Sequence, residues 1–113
     1  MPDSKSYLHK IVNVVIDRPI GFRHPDYPDT IYSLNYGYIP NTKSGDGEPI
    51  DVYVLGLDQA VEKFTGQCIA IIHRLDDNDD KLIVVSENTN FTVEQIEQLT
   101  NFQEKYFKSE IIK

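Results

Sequence analysis

Three carboxylates, Asp46, Glu48 and Asp51, lie within six consecutive residues, on a turn that contains Gly and Pro. The apolar run 52–55 follows directly. Like charges at this density cost free energy unless a cation lies among them. Hard divalent cations such as Mg²⁺ prefer carboxylate oxygens. The spacing therefore favours a metal site, and the alternative is a solvated acidic loop.

A second acidic turn follows about 25 residues later along the chain and ends in a lysine. Its charged residues are Asp76, Asp77, Asp79, Asp80 and Lys81. Neither turn is a calcium-binding loop, because the Gly and the closing Glu are missing at the offsets that such a loop requires. If the two turns face each other across the mouth of a barrel, they could hold two or more Mg²⁺ ions. Such a site can clamp a phosphoryl group and activate a water.

The elements that must position these turns are short β-strands. Runs of β-branched and aromatic residues predict strands at 11–16, 32–39, 51–57, 67–75 and 81–86, with a proline-rich loop at 19–31. The second acidic turn then joins the last two strands as a hairpin. Gly37, inside the second strand, allows a close approach of the neighbouring backbone.

The C-terminal segment changes to a helical period. Thr92 and Gln95 form a capping-box pattern. Apolar residues then follow at helical spacing: Val93, Ile96, Leu99, Phe102 and Tyr106. We predict one amphipathic helix of about four turns. Together with the strands it predicts a mainly β fold with α content, a small closed OB-like β-barrel with a C-terminal amphipathic helix.

Size and charge restrict the possible functions. The 113 residues are enough for one domain, 1–113. The net charge of −7 argues against binding nucleic acid or an anionic membrane, because both require a basic face. An anionic small molecule fits only if metal ions reverse the local field.

Cysteine usage and the N-terminus predict a cytoplasmic protein. The single cysteine, Cys68, lies in the apolar run 68–72 and is expected to be a buried, inert thiol. No hydrophobic signal core is visible at residues 1–5, and no apolar run approaches the length of a membrane span. His24 is expected to be structural or exposed, and Arg74 to be solvated.

The residues also resemble a known family. The run 35–40 (NYGYIP), Thr42 and the run 46–52 (DGEPIDV) are similar to the signature of the soluble family I inorganic pyrophosphatases. In that family a Tyr-Gly-aromatic strand precedes D-G-D-P-x-D and an aliphatic residue. The resemblance extends over about residues 13–106. It implies Mg²⁺-dependent hydrolysis of inorganic pyrophosphate to two phosphates through a metal-activated water, by a protein that assembles as a homo-oligomer.

The resemblance implies a metal role for five carboxylates. Asp46, Asp51 and Asp76 occupy the positions that bind the ion that activates the water. Asp79 matches a further metal ligand, although Asp80 is an alternative because the second turn is two residues shorter than the family pattern. Asp17 aligns with a Glu that helps to hold the additional metals.

The resemblance also implies roles in proton transfer and substrate binding. Glu48 occupies the position of an Asp that acts as general base or orients the water, and Asp51 shares this catalytic role. Lys81 contacts phosphate, and Tyr36 and Tyr106 match tyrosines near the metals and the phosphate.

Part of the family's phosphate-binding set is absent from the sequence. The loop at 20–31 is shorter than the family's and offers Arg23 and His24 as candidates, and Phe107 replaces a lysine beside Tyr106. Charge-assisted clamps contribute much of the stabilisation in phosphoryl transfer. Two alternatives therefore stay open: a metal-dependent hydrolase of another phosphoanhydride such as a nucleotide, and a non-catalytic module that binds metal or phosphate.

Overall fold

The computed structural model describes residues 4–43, 47–76 and 79–113. After a short 3₁₀ helix at Ser4–Tyr7, the described residues form six strands and one α-helix. The strands are β1 (Ile11–Arg18), β2 (Asn35–Ile39), β3 (Ile50–Val54), β4 (Lys63–Arg74), β5 (Asp80–Val85) and β6 (Ser109–Ile112). The helix α1 spans Val93–Glu104 and precedes β6.

Five of the strands close into a barrel. The order in the sheet is β1-β2-β3-β5-β4-β6, and an additional pairing of β1 with β4 closes the first five strands, while β6 pairs with β4 alongside the closed ring. Only β3 and β5 pair in parallel; the other described pairs are antiparallel. The first half of β4 pairs with β1 and its second half pairs with β6. The predicted closed barrel with a C-terminal helix is therefore confirmed.

The hydrophobic residues separate into two layers because successive side chains of a strand point to opposite faces. The inner layer fills the barrel and includes Val14, Val52 and Leu82. The outer layer lies beneath α1 and includes Tyr53, Ile83 and Ile96 from the helix. This second layer attaches the helix to the barrel.

The prediction for Gly37 is confirmed. A Cβ atom at this position would lie 1.9 Å from the carbonyl oxygen of Val15 on β1. That distance is far inside van der Waals contact, so only glycine permits this approach of β2 to β1. Cys68 is fully buried, as predicted, and burial raises the pKa of its thiol to about 11.

The helix begins as predicted, but its buried face includes polar residues that the pattern did not indicate. The side chain of Thr92 accepts from the Gln95 amide and the Gln95 side chain accepts from the Thr92 amide, so the capping box is present. Of the apolar residues at helical spacing, Ile96 is buried, whereas Leu99 and Tyr106 are exposed. The other buried helical residues are Thr100, Gln103 and Glu104. The polar side chains of the last helical turn point inward because buried hydroxyl and guanidinium groups of the barrel require hydrogen-bond partners.

The strand boundaries differ from the prediction by up to four residues, and one strand was missed. β4 begins at Lys63, before the apolar run, because residues Lys63–Gln67 pair with β1. β6 was not predicted, since only two of its four residues, Ile111 and Ile112, are apolar. Within the described residues, no helix is long and apolar enough to cross a membrane.

Candidate active site

A cavity of about 200 Å³ opens where α1 meets the ends of several strands. Among the described residues, the following line it: Asp17, Arg18, His24, Tyr36, Asp51, Arg74, Lys81, Gln103 and Phe107. Four of these, Asp17, Tyr36, Asp51 and Lys81, were predicted as site residues from the sequence. The fold thus brings these four residues together although they are as much as 64 positions apart in the chain, from 17 to 81.

A β-bulge at the end of β1 places two adjacent side chains in the cavity wall. Ile16 pairs with Gly37 and Arg18 pairs with Tyr36, so Asp17 is an extra residue in the ladder. In a regular strand, neighbours point to opposite faces, whereas a bulge reorients the side chain beside it. Asp17 and Arg18 can therefore both line the cavity.

Lys81 is held between two carboxylates. Its Nζ donates to Asp51 Oδ2 and, at 2.6 Å, to Asp79 Oδ2. The lysine side chain is only 3% exposed, so this pairing compensates for the removal of its charge from water. Asp80 instead contacts His73, with Oδ1 2.7 Å from Nδ1. Of the two alternatives for the second turn, Asp79 is thus the one joined to Asp51.

A second buried ion pair forms one wall of the cavity. Arg74 donates to the Glu104 carboxylate through Nε at 3.0 Å and a terminal nitrogen at 2.7 Å. Tyr53 also donates to Glu104, at 2.6 Å. The Arg74 guanidinium lies 3.7 Å from the centre of the Phe107 ring. The prediction that Arg74 is solvated is wrong, because the helix supplies a buried carboxylate that the apolar pattern did not indicate.

A chain of hydrogen bonds continues from this pair to Arg18. Gln103 Nε2 donates to the Tyr53 hydroxyl at 2.5 Å. The Tyr32 hydroxyl donates to Gln103 Oε1 and accepts from Arg18 at 2.7 Å. Because Tyr32, Tyr53 and Gln103 are buried, these bonds fix the position of Arg18 relative to the helix.

Burial and charge alter the acidity of three groups in the cavity wall. Burial, followed by the nearby Asp51 charge, raises the pKa of the Tyr36 hydroxyl well above its usual value. Burial also raises the pKa of Asp17. It lowers the pKa of His24, and the positive charge of Arg18 lowers it further. Tyr36 therefore remains a hydrogen-bond donor at neutral pH.

The remaining predicted carboxylates either lie outside the described residues or do not line the cavity. Asp46 lies outside the residues that the structure describes. Glu48 is exposed on the turn before β3. Asp76 is also exposed, and its Oδ2 accepts from the backbone amide of Lys108 at 2.9 Å. The second turn therefore contributes Asp79 and Lys81 to the cluster at the cavity, whereas Asp76 anchors the segment that follows the helix.

The two remaining substrate-binding candidates lie on the outer surface. Arg23 is exposed and donates to the carbonyl oxygen of Pro28 in its own loop, at 2.5 Å. The ring of Tyr106 is stacked on Tyr27 with 4.7 Å between centroids, and its hydroxyl is 3.3 Å from that of Thr30. Both side chains hold the short loop together in this arrangement.

Sequence reasoning missed Arg18, Gln103 and Glu104. Arg18 had a signal in the sequence, since it is next to Asp17 at the end of a predicted strand. The two helical residues had a weaker signal, a polar pair in the last turn of an otherwise amphipathic helix. Their inward orientation depends on the hydroxyls of the barrel and is visible only in the structure.

The described carboxylates of the cavity offer part of a metal site. Within the described ranges, no group of three or more His, Cys, Asp or Glu side chains could hold an ion. Asp17 and Asp51 nevertheless line one cavity and offer hard oxygen donors. Mg²⁺ is commonly held by one or two carboxylates, with waters and substrate phosphates as the other ligands. The two carboxylates fit an ion bound in that way.

Comparison with known proteins gives consistent matches. The profile of the family described as inorganic pyrophosphatase matches residues 7–112. The chain is 35% identical over 77 residues to an inorganic pyrophosphatase of Xylella fastidiosa, a match that covers 61% of this chain and 43% of that protein. It is 31% identical over 116 residues to soluble inorganic pyrophosphatase 2 of Chlamydomonas reinhardtii, covering 88% of this chain and 60% of that protein.

A solved structure shares the fold. The crystal structure of an inorganic pyrophosphatase from Ehrlichia chaffeensis superimposes with a TM-score of 0.67. The match covers 91% of this chain and 85% of the other, at 22% sequence identity. The barrel with its C-terminal helix is therefore a known arrangement. The regions matched in the two sequence relatives above are 43% and 60% of their lengths.

Proposed function

We propose, since this chain belongs to the inorganic pyrophosphatase family, that it hydrolyses inorganic pyrophosphate to two phosphates at the cavity beneath α1. The observation that supports this most directly is the convergence of Asp17, Tyr36, Asp51 and Lys81 on one cavity. These residues combine hard anionic ligands with a cation and a hydroxyl donor. That combination suits a phosphoanhydride accompanied by a metal ion.

Family membership implies a divalent metal cofactor, and we propose Mg²⁺. Asp17 and Asp51 would hold it, and Asp46, outside the described residues, is the proposed third ligand. A bound Mg²⁺ supplies charge neutralisation of the phosphate oxygens and lowers the pKa of a water. The resemblance also assigns Asp76 and Asp79 to metals. We retain Asp79 for an additional ion because its link through Lys81 places it beside Asp51.

The chain's own residues would orient the substrate and move the proton. Lys81 already neutralises Asp51 and would share its remaining ammonium hydrogen with a phosphate oxygen. Tyr36 is protonated at neutral pH and would donate to a second oxygen. Of the two carboxylates proposed to take the proton of the attacking water, Asp51 lines the cavity and Glu48 does not. We therefore assign proton acceptance to Asp51.

The substrate is tested with a panel of phosphate compounds. Phosphate release is measured with Mg²⁺ from pyrophosphate, a nucleoside triphosphate, a nucleoside diphosphate and a phosphate monoester. We expect pyrophosphate to be turned over with the highest kcat/KM. Preference for a nucleotide would replace the proposal with the alternative phosphoanhydride hydrolase. Mg²⁺-dependent binding without turnover of any compound would favour the non-catalytic module.

The cellular setting and assembly are part of the same proposal. We propose a cytoplasmic homo-oligomer in which residues 1–113 form one pyrophosphatase-like domain. The proposal includes no nucleic-acid or membrane partner, in keeping with the net charge of −7. Sedimentation of the purified chain tests the assembly directly, and a single monomeric species would contradict it.

A further inference from the structure

Three cations line the cavity, and their pairing differs. Lys81 is paired with Asp51 and Asp79, and Arg74 is paired with Glu104. Arg18 forms no ion pair with any carboxylate among the described residues. Among these three described cations, Arg18 is thus the one without an ion pair, although the charge of the neighbouring Asp17 interacts with it.

The polar partner of Arg18 is a neutral phenol. One terminal nitrogen donates to the Tyr32 hydroxyl at 2.7 Å. The guanidinium also lies 5.7 Å from the centre of the Tyr32 ring and 5.8 Å from that of Tyr36. A guanidinium has five N–H donors, so several remain for a ligand in the cavity. Arginine adds planar, two-point recognition of phosphate oxygens, which lysine lacks.

The position of Arg18 is fixed from two sides. The bulge at Asp17 directs the end of β1 into the cavity wall. Tyr32, which holds the guanidinium, is itself held by Gln103 of the helix. A charged group prepared in this way loses little side-chain entropy when an anion binds.

Arg23, which the sequence suggested for phosphate binding, makes its hydrogen bond outside the cavity. Arg23 donates to the Pro28 carbonyl and is not part of the cavity wall. Phe107, in place of a lysine, covers Arg74 and carries no charge. The shortened loop and the altered helix end therefore leave the site with few cations for its substrate.

We propose that Arg18 is the principal phosphate-binding side chain of this site, and that its guanidinium binds two oxygens of one phosphate group of the substrate. The inference rests on the proposed function for the identity of the substrate. It also predicts substrate specificity: the site selects compounds with a terminal phosphate whose oxygens can accept hydrogen bonds from two coplanar N–H groups of the guanidinium.

The test is binding of methylenediphosphonate, a pyrophosphate analogue whose bridging carbon resists hydrolysis, by calorimetry with Mg²⁺. The full chain is compared with Arg18→Gln, Arg18→Lys, Arg23→Gln and a control, Lys63→Gln. Lys63→Gln removes a positive charge at an exposed site on β4. We expect Arg18→Gln to weaken binding by about 10- to 100-fold, the usual effect of losing hydrogen bonds from a charged group. Arg23→Gln should lose less, and Lys63→Gln should bind as the wild type.

Thermal unfolding shows which variants are folded. If Arg18→Gln does not fold, Arg18→Lys decides, because it keeps the charge and loses the planar pair of donors. We expect about tenfold weaker binding for it. Folded Arg18 variants that bind as tightly as Lys63→Gln would overturn the inference, as would a wild type that does not bind the analogue.

Failure of the proposed function has a different result. A wild type that binds methylenediphosphonate but releases no phosphate from pyrophosphate would refute the hydrolase proposal, and the Arg18 variants would still decide the binding role. Conversely, full pyrophosphate turnover with an unchanged KM in Arg18→Gln would support the hydrolase and refute the role of Arg18.

Discussion

The carboxylate of Glu104 anchors the helix to the barrel, and replacing it with glutamine should destabilise the fold strongly. It accepts two hydrogen bonds from Arg74, at 3.0 and 2.7 Å, and one from Tyr53 at 2.6 Å. Glu104→Gln keeps the size of the side chain but removes its charge and places an amide donor against the donors of Arg74.

The size of the expected loss in free energy of unfolding follows from the burial of the ion pair. The side chains of Arg74 and Glu104 are each only 7% exposed, so water cannot replace the lost partner. Breaking a buried ion pair by removing one charge costs about 3–5 kcal/mol. Domains of this kind have a free energy of unfolding of about 5–15 kcal/mol. The substitution should thus remove a large share of the total.

Urea unfolding monitored by circular dichroism measures this effect, with Glu97→Gln as the matched control. Glu97 is exposed on the same helix, so its substitution should change the free energy of unfolding by less than about 0.5 kcal/mol. Adding Arg74→Met to Glu104→Gln should recover part of the loss, because the buried charge whose carboxylate was removed is then removed as well. A loss below about 1 kcal/mol for Glu104→Gln, or no recovery in the double variant, would refute this reasoning.

Three further predictions concern the barrel and the cavity wall. Gly37→Ala should lower the free energy of unfolding in urea by about 3 kcal/mol or more, since its Cβ would overlap the Val15 carbonyl oxygen. An unchanged unfolding midpoint would contradict the close approach of the two strands. Cys68, with a thiol pKa of about 11, should react with a disulfide reagent at pH 8 only after unfolding, and rapid native labelling would show that it is accessible. The pKa of His24, measured by NMR, should lie below 6.5, so acid below that pH protonates the unfolded chain first and lowers the free energy of unfolding. The His24 pKa should rise in Arg18→Gln, and no rise would contradict the effect of the Arg18 charge.

The sequence predicted the barrel well because its signals are local. β-branched runs specified most strands, and the Thr92–Gln95 capping box specified the start of the helix. Gly37 was identified for the same reason, since a glycine within a strand indicates a close backbone approach. The closure of β1 on β4 pairs residues 48 to 56 positions apart, from Val15 with Lys63 to Ile11 with Gln67, so no local pattern specifies which strands meet there.

The site was predicted in part. Asp17, Tyr36, Asp51 and Lys81 converge on the cavity, as the family pattern implied. The inward turn of Gln103 and Glu104 was not predicted, because it depends on tyrosines and an arginine from other elements. Neither was the role of Asp17 as a bulge residue, which a single sequence does not reveal.

The measurement that tests the central proposal most directly is phosphate release from pyrophosphate with Mg²⁺ by the wild type, Asp51→Asn and Asp58→Asn. Asp58 is an exposed carboxylate a few residues after Asp51 and lies outside the cavity wall. We expect the wild type and Asp58→Asn to release phosphate at similar rates and Asp51→Asn to be slower by about 100-fold or more. No release by the wild type, or equal rates in all three proteins, would contradict pyrophosphate hydrolysis at this cavity.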